Sequence, residues 1–235
     1  MPEEALPPIL QGDVWDRKLS RVAARAAELV NDEQARSSNG SISSSDPVSS
    51  MTVEQLERLI SGAVSLVRAR EERILMSPGP NNNPGSIVLD AAGQVLRATD
   101  ATSHLSNELG EEWRRRILWV DDRPNNNVYE RQVFESLGLT FILALSTEEA
   151  LGRLSDSKFG AIISDMGRKE GPREGYRLLD TLRASGIMTP FFIYAGSNAP
   201  QHKREAVDHG AQGCTNMANE LVDMVVGVLS SNEGS

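Results

Sequence analysis

The second half of the chain alternates between short apolar runs and amphipathic stretches. The apolar runs show no polar alternation, which is typical of strands buried on both faces of a sheet. They lie at residues 117–120, 141–145, 161–164, 191–195 and 212–215. Stretches with apolar residues at helical spacing follow them, at residues 128–137, 147–154, 176–184, 203–209 and 221–229. This succession predicts an α/β fold with a doubly wound five-stranded parallel sheet over residues 117–235.

The first half of the chain predicts helices separated by breaks. Residues 1–36 place apolar side chains at helical spacing and predict an amphipathic helix in a partly disordered segment. Residues 37–50 are rich in Ser and predict a flexible linker. A capping box at residues 52–55 starts a second helix, which we expect to end near Leu75.

Residues 51–116 are expected to form a mostly helical N-terminal extension that contains a small hairpin. Two apolar segments, at residues 87–90 and 95–98, flank a turn-like sequence at residues 91–94, and this pattern predicts the hairpin. A short polar helix should follow and end at Arg116.

Composition excludes several kinds of function. The 235 residues carry a net charge of −9, which disfavours a nucleic-acid partner because phosphate repels an acidic surface. A single cysteine excludes a disulfide framework and a cysteine-based zinc site. The apolar runs are too short to cross a membrane, and the first residues lack the pattern of a signal peptide. We therefore expect a soluble, cytoplasmic protein.

Acidic residues follow two of the predicted strands. Asp121 and Asp122 come directly after the first strand, and Asp165 comes directly after the third. If these strands are neighbours, three carboxylates meet at the edge of the sheet where ligands bind. Their mutual repulsion calls for a cation, and Mg²⁺ prefers such oxygen ligands. The carbonyl of Gly167 is a further candidate ligand.

These acids and the five strand–helix units resemble the receiver domain of two-component response regulators, from residue 117 to about residue 230. The sequence at residues 210–213, before the last strand, also matches the family. The resemblance implies a flavodoxin-like fold and a Mg²⁺ site at Asp121 and Asp122. It also implies that Asp165 accepts a phosphoryl group, with a histidine kinase or a phosphotransfer protein as partner.

Two positions depart from the family pattern. Ala195 stands where the family has a Ser or Thr, and Met217 stands where the family has a Lys. The hydroxyl and the ammonium of those residues normally hold the phosphoryl group. Arg168 and Lys169 are candidates to replace the charge, and Ser197 is a candidate to replace the hydroxyl.

The sequence predicts signal transduction rather than catalysis, since it contains no P-loop, nucleophile elbow, HExxH or dinucleotide-binding motif. We expect a stand-alone, atypical receiver in a phosphorelay. Its output would pass through contact with another protein, at residues 210–229 and the helix at residues 53–75. A phosphorylation-independent pseudo-receiver adaptor is the main alternative, and a nucleotide- or metabolite-sensing domain is the weaker one. A homodimer through the first helix also remains open.

Overall fold

Parallel strands form one five-stranded sheet in the computed structural model of this protein, which describes residues 52–76, 84–103, 105 and 111–231. The strands are β1 (Arg116–Val120), β2 (Thr140–Ala144), β3 (Ala161–Ser164), β4 (Phe191–Tyr194) and β5 (Gly213–Thr215). Their order across the sheet is β2-β1-β3-β4-β5, and every neighbouring pair is parallel. The predicted flavodoxin-like sheet is confirmed. The helix and linker predicted for residues 1–36 and 37–50 lie outside the described residues.

Within the described residues, a helix follows each strand, and two long helices precede the sheet. The two long helices are α1 (Val53–Met76) and α2 (Pro84–Ser103). The helices that follow the strands are α3 (Val128–Ser136), α4 (Thr147–Asp156), α5 (Glu174–Ala184), α6 (Pro200–Asp208) and α7 (Ala218–Ser231). Two short 3₁₀ helices, Glu112–Arg115 and Pro124–Asn127, flank β1.

The central strands are buried on both faces, as their unbroken apolar runs predict. Leu118, Ile162 and Ile193 pack on the side of α4, α5 and α6, where Ala150, Leu178 and Ala206 are also buried. On the other side, the Trp119 ring meets the rings of Phe141 and Tyr194 edge-on, with centroids 5.8 and 6.0 Å away. Burial on both faces holds the carboxyl ends of β1 and β3 side by side.

The residues from Ser61 onward form one compact unit, in which residues 61–76 of α1 pack on α3, and α2 packs on α7. The Ser65 hydroxyl donates to Gln132 on α3 over 3.2 Å, and the Gln94 side chain donates to the Asn219 carbonyl on α7 over 2.8 Å. At Gly62, an added Cβ would lie 2.2 Å from the Ser136 hydroxyl, so glycine allows the close approach of α1 to α3. This part of the extension therefore shares a core with the sheet domain.

The hairpin predicted at residues 87–98 is wrong, because α2 runs through both segments and through the turn between them. Ala91, Val95 and Ala98 are buried, and their spacing of four and three residues is helical. An apolar pattern this short is compatible with strand or helix, and packing on α7 stabilises the helix. The predicted polar helix before Arg116 is the 3₁₀ helix Glu112–Arg115.

Among the helices in the described part of the chain, none combines the length and the apolar character needed to cross a bilayer.

Candidate functional site

The three predicted acids meet at the carboxyl edge of the sheet. β1 and β3 are neighbours, and Val120 pairs with Ser164, so Asp121 and Asp165 leave the sheet side by side. The Asp165 amide donates to the Val120 carbonyl over 2.9 Å, which continues the ladder one residue past the strand. One carboxylate oxygen from each of Asp121, Asp122 and Asp165 lies within 4.8 Å of the others. We call these three residues the acid cluster.

Asp121 is the buried member of the acid cluster and is held at both oxygens. Its side chain accepts a hydrogen bond from the Arg123 amide over 2.6 Å at Oδ1 and one from the Asn127 side chain at Oδ2. Asn127 is itself buried, at the end of the 3₁₀ helix Pro124–Asn127. Sequence reasoning missed Asn127, although a run of Asn at residues 125–127, shortly after the acidic pair, was the available signal.

The surroundings of Asp165 disfavour the charge on its side chain. Burial, and then repulsion by Asp121, raise the pKa of Asp165 from 3.8 to about 6. Asp122 adds to this shift, while the Met166 amide, which donates to Oδ1 over 2.8 Å, opposes it. Three close carboxylates with one raised pKa fit a small divalent cation, because a cation removes the repulsion and takes oxygen ligands.

The loop after Asp165 closes back over the acid cluster. Arg168 and Gly171 pair as a narrow antiparallel bridge, which leaves Lys169 and Glu170 at its tip. The Lys169 amide donates to Asp122 Oδ2 over 3.2 Å. Gly167 lies between Asp165 and this bridge and is exposed. Its carbonyl remains a predicted ligand.

The two departures from the family pattern lie at the predicted strand ends. Ala195 follows β4 and lines a pocket of about 490 Å³ together with Asp165, so a methyl group stands where a hydroxyl was expected. Met217 follows β5, and its amide donates to the Thr215 hydroxyl over 3.0 Å. The Ser197 hydroxyl, a candidate substitute, is paired with His202 Nδ1 at 2.9 Å.

Gly175 lets the first turn of α5 approach the backbone of the acid cluster. An added Cβ would lie 3.0 Å from both the Asp165 carbonyl oxygen and the Met166 Cα. We expect Gly175→Ala to lower the free energy of unfolding by about 1 kcal/mol, because overpacking outweighs the gain in helix propensity.

Urea unfolding of Gly175→Ala beside Gly152→Ala measures this effect. At Gly152 on α4 an added Cβ meets nothing within 4 Å, so the propensity gain should raise stability by about 0.5–1 kcal/mol. If both substitutions stabilised the protein, the backbone at Asp165 would have moved enough to accept the added Cβ at residue 175 without cost.

Two curated proteins are similar in sequence to part of this chain. No known protein-family profile matches the chain. The sensor histidine kinase RcsC from Salmonella typhimurium is 28% identical over 131 residues, which is 55% of this chain and 13% of RcsC. RcsC from Salmonella typhi matches equally. The chain thus spans about 13% of the length of these curated relatives.

Solved receiver domains align with about half of this chain. The Francisella response regulator 1452 receiver domain is 22% identical, with a TM-score of 0.44, and the alignment covers 49% of this chain and 96% of that chain. A receiver domain of a Syntrophus aciditrophicus signal transduction histidine kinase is also 22% identical, with a TM-score of 0.45, covering 51% and 93%. We call residues 116–231, which contain the sheet and the helices that follow its strands, the receiver-like domain. The resemblance drawn from the acids and the strand rhythm is thereby confirmed.

Proposed function

We propose that the receiver-like domain transmits a signal through Asp165, which accepts a phosphoryl group from a histidine kinase or a phosphotransfer protein. The convergence of Asp121, Asp122 and Asp165 within 4.8 Å is the observation that carries this proposal. The similarity to RcsC, whose name describes a sensor histidine kinase, supports a place in two-component signalling. This role is that of a signalling module rather than an enzyme.

The acid cluster is proposed to hold Mg²⁺ through Asp121, Asp122 and Asp165, with the Gly167 carbonyl as a further ligand. Bound Mg²⁺ would neutralise phosphoryl oxygens as a carboxylate approaches phosphorus. Asp165 is the proposed nucleophile, as the resemblance implies, and the two hydrogen bonds to buried Asp121 hold that carboxylate in place as a ligand. One Asp165 oxygen attacks phosphorus, the bond from phosphorus to the donor imidazole breaks, and the imidazole nitrogen keeps the electron pair.

A second function is favoured by Ala195 and Met217. Without a hydroxyl and an ammonium at these positions, a phosphoryl group on Asp165 loses two of its usual partners. Each such charge-assisted hydrogen bond contributes about 1.5–3 kcal/mol. The alternative is therefore a pseudo-receiver that binds its partner whether or not Asp165 is phosphorylated.

Treatment with acetyl phosphate and Mg²⁺ distinguishes the two functions. For the phosphoacceptor, we expect a mass gain of one phosphoryl group in the wild type and none in Asp165→Asn. Beryllofluoride with Mg²⁺ should shift the amide resonances of Arg123, Met166 and Lys169, which donate to the acid cluster. If the wild type gains no phosphoryl group, and if the wild type and Asp165→Asn capture the same partner, the pseudo-receiver is established instead.

A further inference from the structure

The side chain of Arg168 is enclosed by the loop that covers the acid cluster. Its side chain has 0% of its surface exposed, although it belongs to a loop of polar residues and glycine. A buried guanidinium must have its hydrogen-bond donors satisfied, because burying an unpaired charge is costly. The partners of this side chain therefore show what it holds together.

Hydrogen bonds from the Arg168 guanidinium join four parts of the receiver-like domain. Nη1 donates to the Ser164 hydroxyl at the end of β3 over 2.7 Å and to the Asp165 carbonyl over 3.0 Å. Nη2 donates to the Thr147 hydroxyl on α4 over 2.6 Å and to the Glu174 carbonyl on α5 over 3.2 Å. Nε faces the Glu170 carboxylate at 3.2 Å.

These contacts make Arg168 an unsuitable partner for a phosphoryl group. A guanidinium has five N–H donors, and the five hydrogen bonds at Arg168 match that number. The side chain also lies beneath the loop rather than in solvent, since none of its surface is exposed. Its charge is paired with Glu170, so its contribution must be to the geometry of the loop.

Two features of the acid cluster depend on that geometry. The peptide of Asp165 is held at its carbonyl by Nη1, and the bridge between Arg168 and Gly171 places the Lys169 amide 3.2 Å from Asp122. Arg168 is thus connected to one acid through the backbone and to a second through the tip of the loop. An apolar residue of similar volume would fill the same space without fixing either position.

We propose that Arg168 is the positioning residue of the acid cluster, which fixes the Asp165 peptide and the loop tip that orients Asp122. This inference rests on the proposed Mg²⁺ site. In this inference, Arg168 sets the distance between the Asp165 and Asp122 carboxylates, which share one cation with Asp121. Outer-shell residues of this kind typically change metal affinity by about 10–100-fold when they are replaced.

Titration of the full chain with Mg²⁺, followed by amide resonances, tests the proposal. We expect Arg168→Met to bind Mg²⁺ at least about tenfold more weakly than the wild type. Arg168→Lys, which keeps the charge but loses the planar fork, should recover only part of this loss. Arg177→Met is the matched control, because Arg177 is 72% exposed and pairs with the same region at Glu174. The control should stay within about twofold of the wild type.

Hydrogen exchange gives a second readout that general destabilisation does not reproduce. In Arg168→Met, the amides of the bridge, at residues 168 and 171, and of Lys169 should exchange rapidly. The amides of β1 and β3 should keep their wild-type protection. Thr147→Val removes one acceptor of the guanidinium and provides a milder variant if Arg168→Met does not fold. It should weaken Mg²⁺ binding in the same direction by a smaller factor.

The results separate this inference from the proposed function. A wild type that does not bind Mg²⁺ would overturn the metal site, and exchange at the loop amides would still decide the role of Arg168. A folded Arg168→Met with wild-type Mg²⁺ affinity and protected loop amides would overturn the positioning role. If Thr147→Val is used in its place, unchanged Mg²⁺ affinity and unchanged loop protection would overturn that role equally.

Discussion

Replacing Leu66 by alanine should lower the free energy of unfolding by about 2–4 kcal/mol. Leu66 lies on α1 with 0% of its surface exposed, between Ser65, which bonds Gln132, and Arg68, which stacks over the Tyr129 ring at 5.4 Å. Truncation would leave a cavity between α1 and the helices of the receiver-like domain. A loss of this size requires that this part of α1 folds cooperatively with the sheet domain.

Urea unfolding of Leu66→Ala measures the loss, with Leu145→Ala as the control. Leu145 is 51% exposed after β2, so its truncation should cost less than about 1 kcal/mol. If both substitutions change stability equally and slightly, α1 does not share the core of the receiver-like domain. The prediction would also be contradicted if the wild type showed a separate unfolding transition at low urea concentration, because α1 and the sheet domain would then unfold independently.

The packing of the extension changes which surface can serve a partner. The sequence suggested residues 210–229 together with the helix at residues 53–75 as the output surface. The Gln94 side chain on α2 donates to the Asn219 carbonyl and, over 2.8 Å, to the Asp223 carboxylate. These contacts cover one side of α7 with part of the same chain. A partner that uses α7 must therefore bind its remaining surface or displace α2.

The parts of the fold that the sequence predicts are those set by local patterns. Apolar runs without alternation identify buried parallel strands, and the residue after such a strand must lie at the carboxyl edge of the sheet. The positions of Asp121, Asp122 and Asp165 follow from that rule once β1 and β3 are neighbours. Ala195 and Met217 were identified through the resemblance to receiver domains, which implies a hydroxyl and an ammonium at these distances from Asp165 along the chain.

The features that the sequence did not predict depend on distant contacts. Residues 87–98 satisfy a hairpin pattern and a helical pattern equally, and the choice is made by the burial of Val95 and by the contact of Gln94 with α7. Arg168 stands between Gly167 and Lys169, in a segment that is typical of an exposed turn. Its burial depends on Thr147 and Glu174, which come from two other elements.

Replacing Asp165 by asparagine should stabilise the metal-free protein at pH 7 by about 1–2 kcal/mol. The pKa of Asp165 is raised to about 6 by burial and by its acidic neighbours, so the folded state holds this proton more tightly than the unfolded state does. The contribution of Asp165 to the free energy of unfolding is complete below pH 3.8 and is lost as the pH rises through about 6. The full shift corresponds to about 3 kcal/mol, and partial exposure reduces it by screening.

Urea unfolding between pH 4 and pH 7 with a chelator present tests this expectation. The difference between Asp165→Asn and the wild type should be small at pH 4 and grow as pH rises through about 6. Asp100→Asn, which removes an exposed carboxylate on α2, is the control for the loss of one negative charge. Adding Mg²⁺ at pH 7 should stabilise the wild type more than Asp165→Asn, because the cation offsets the repulsion that the substitution has already removed. A pH-independent difference would mean that Asp165 bears no unfavourable charge, and the acid cluster would then provide no driving force for binding a cation.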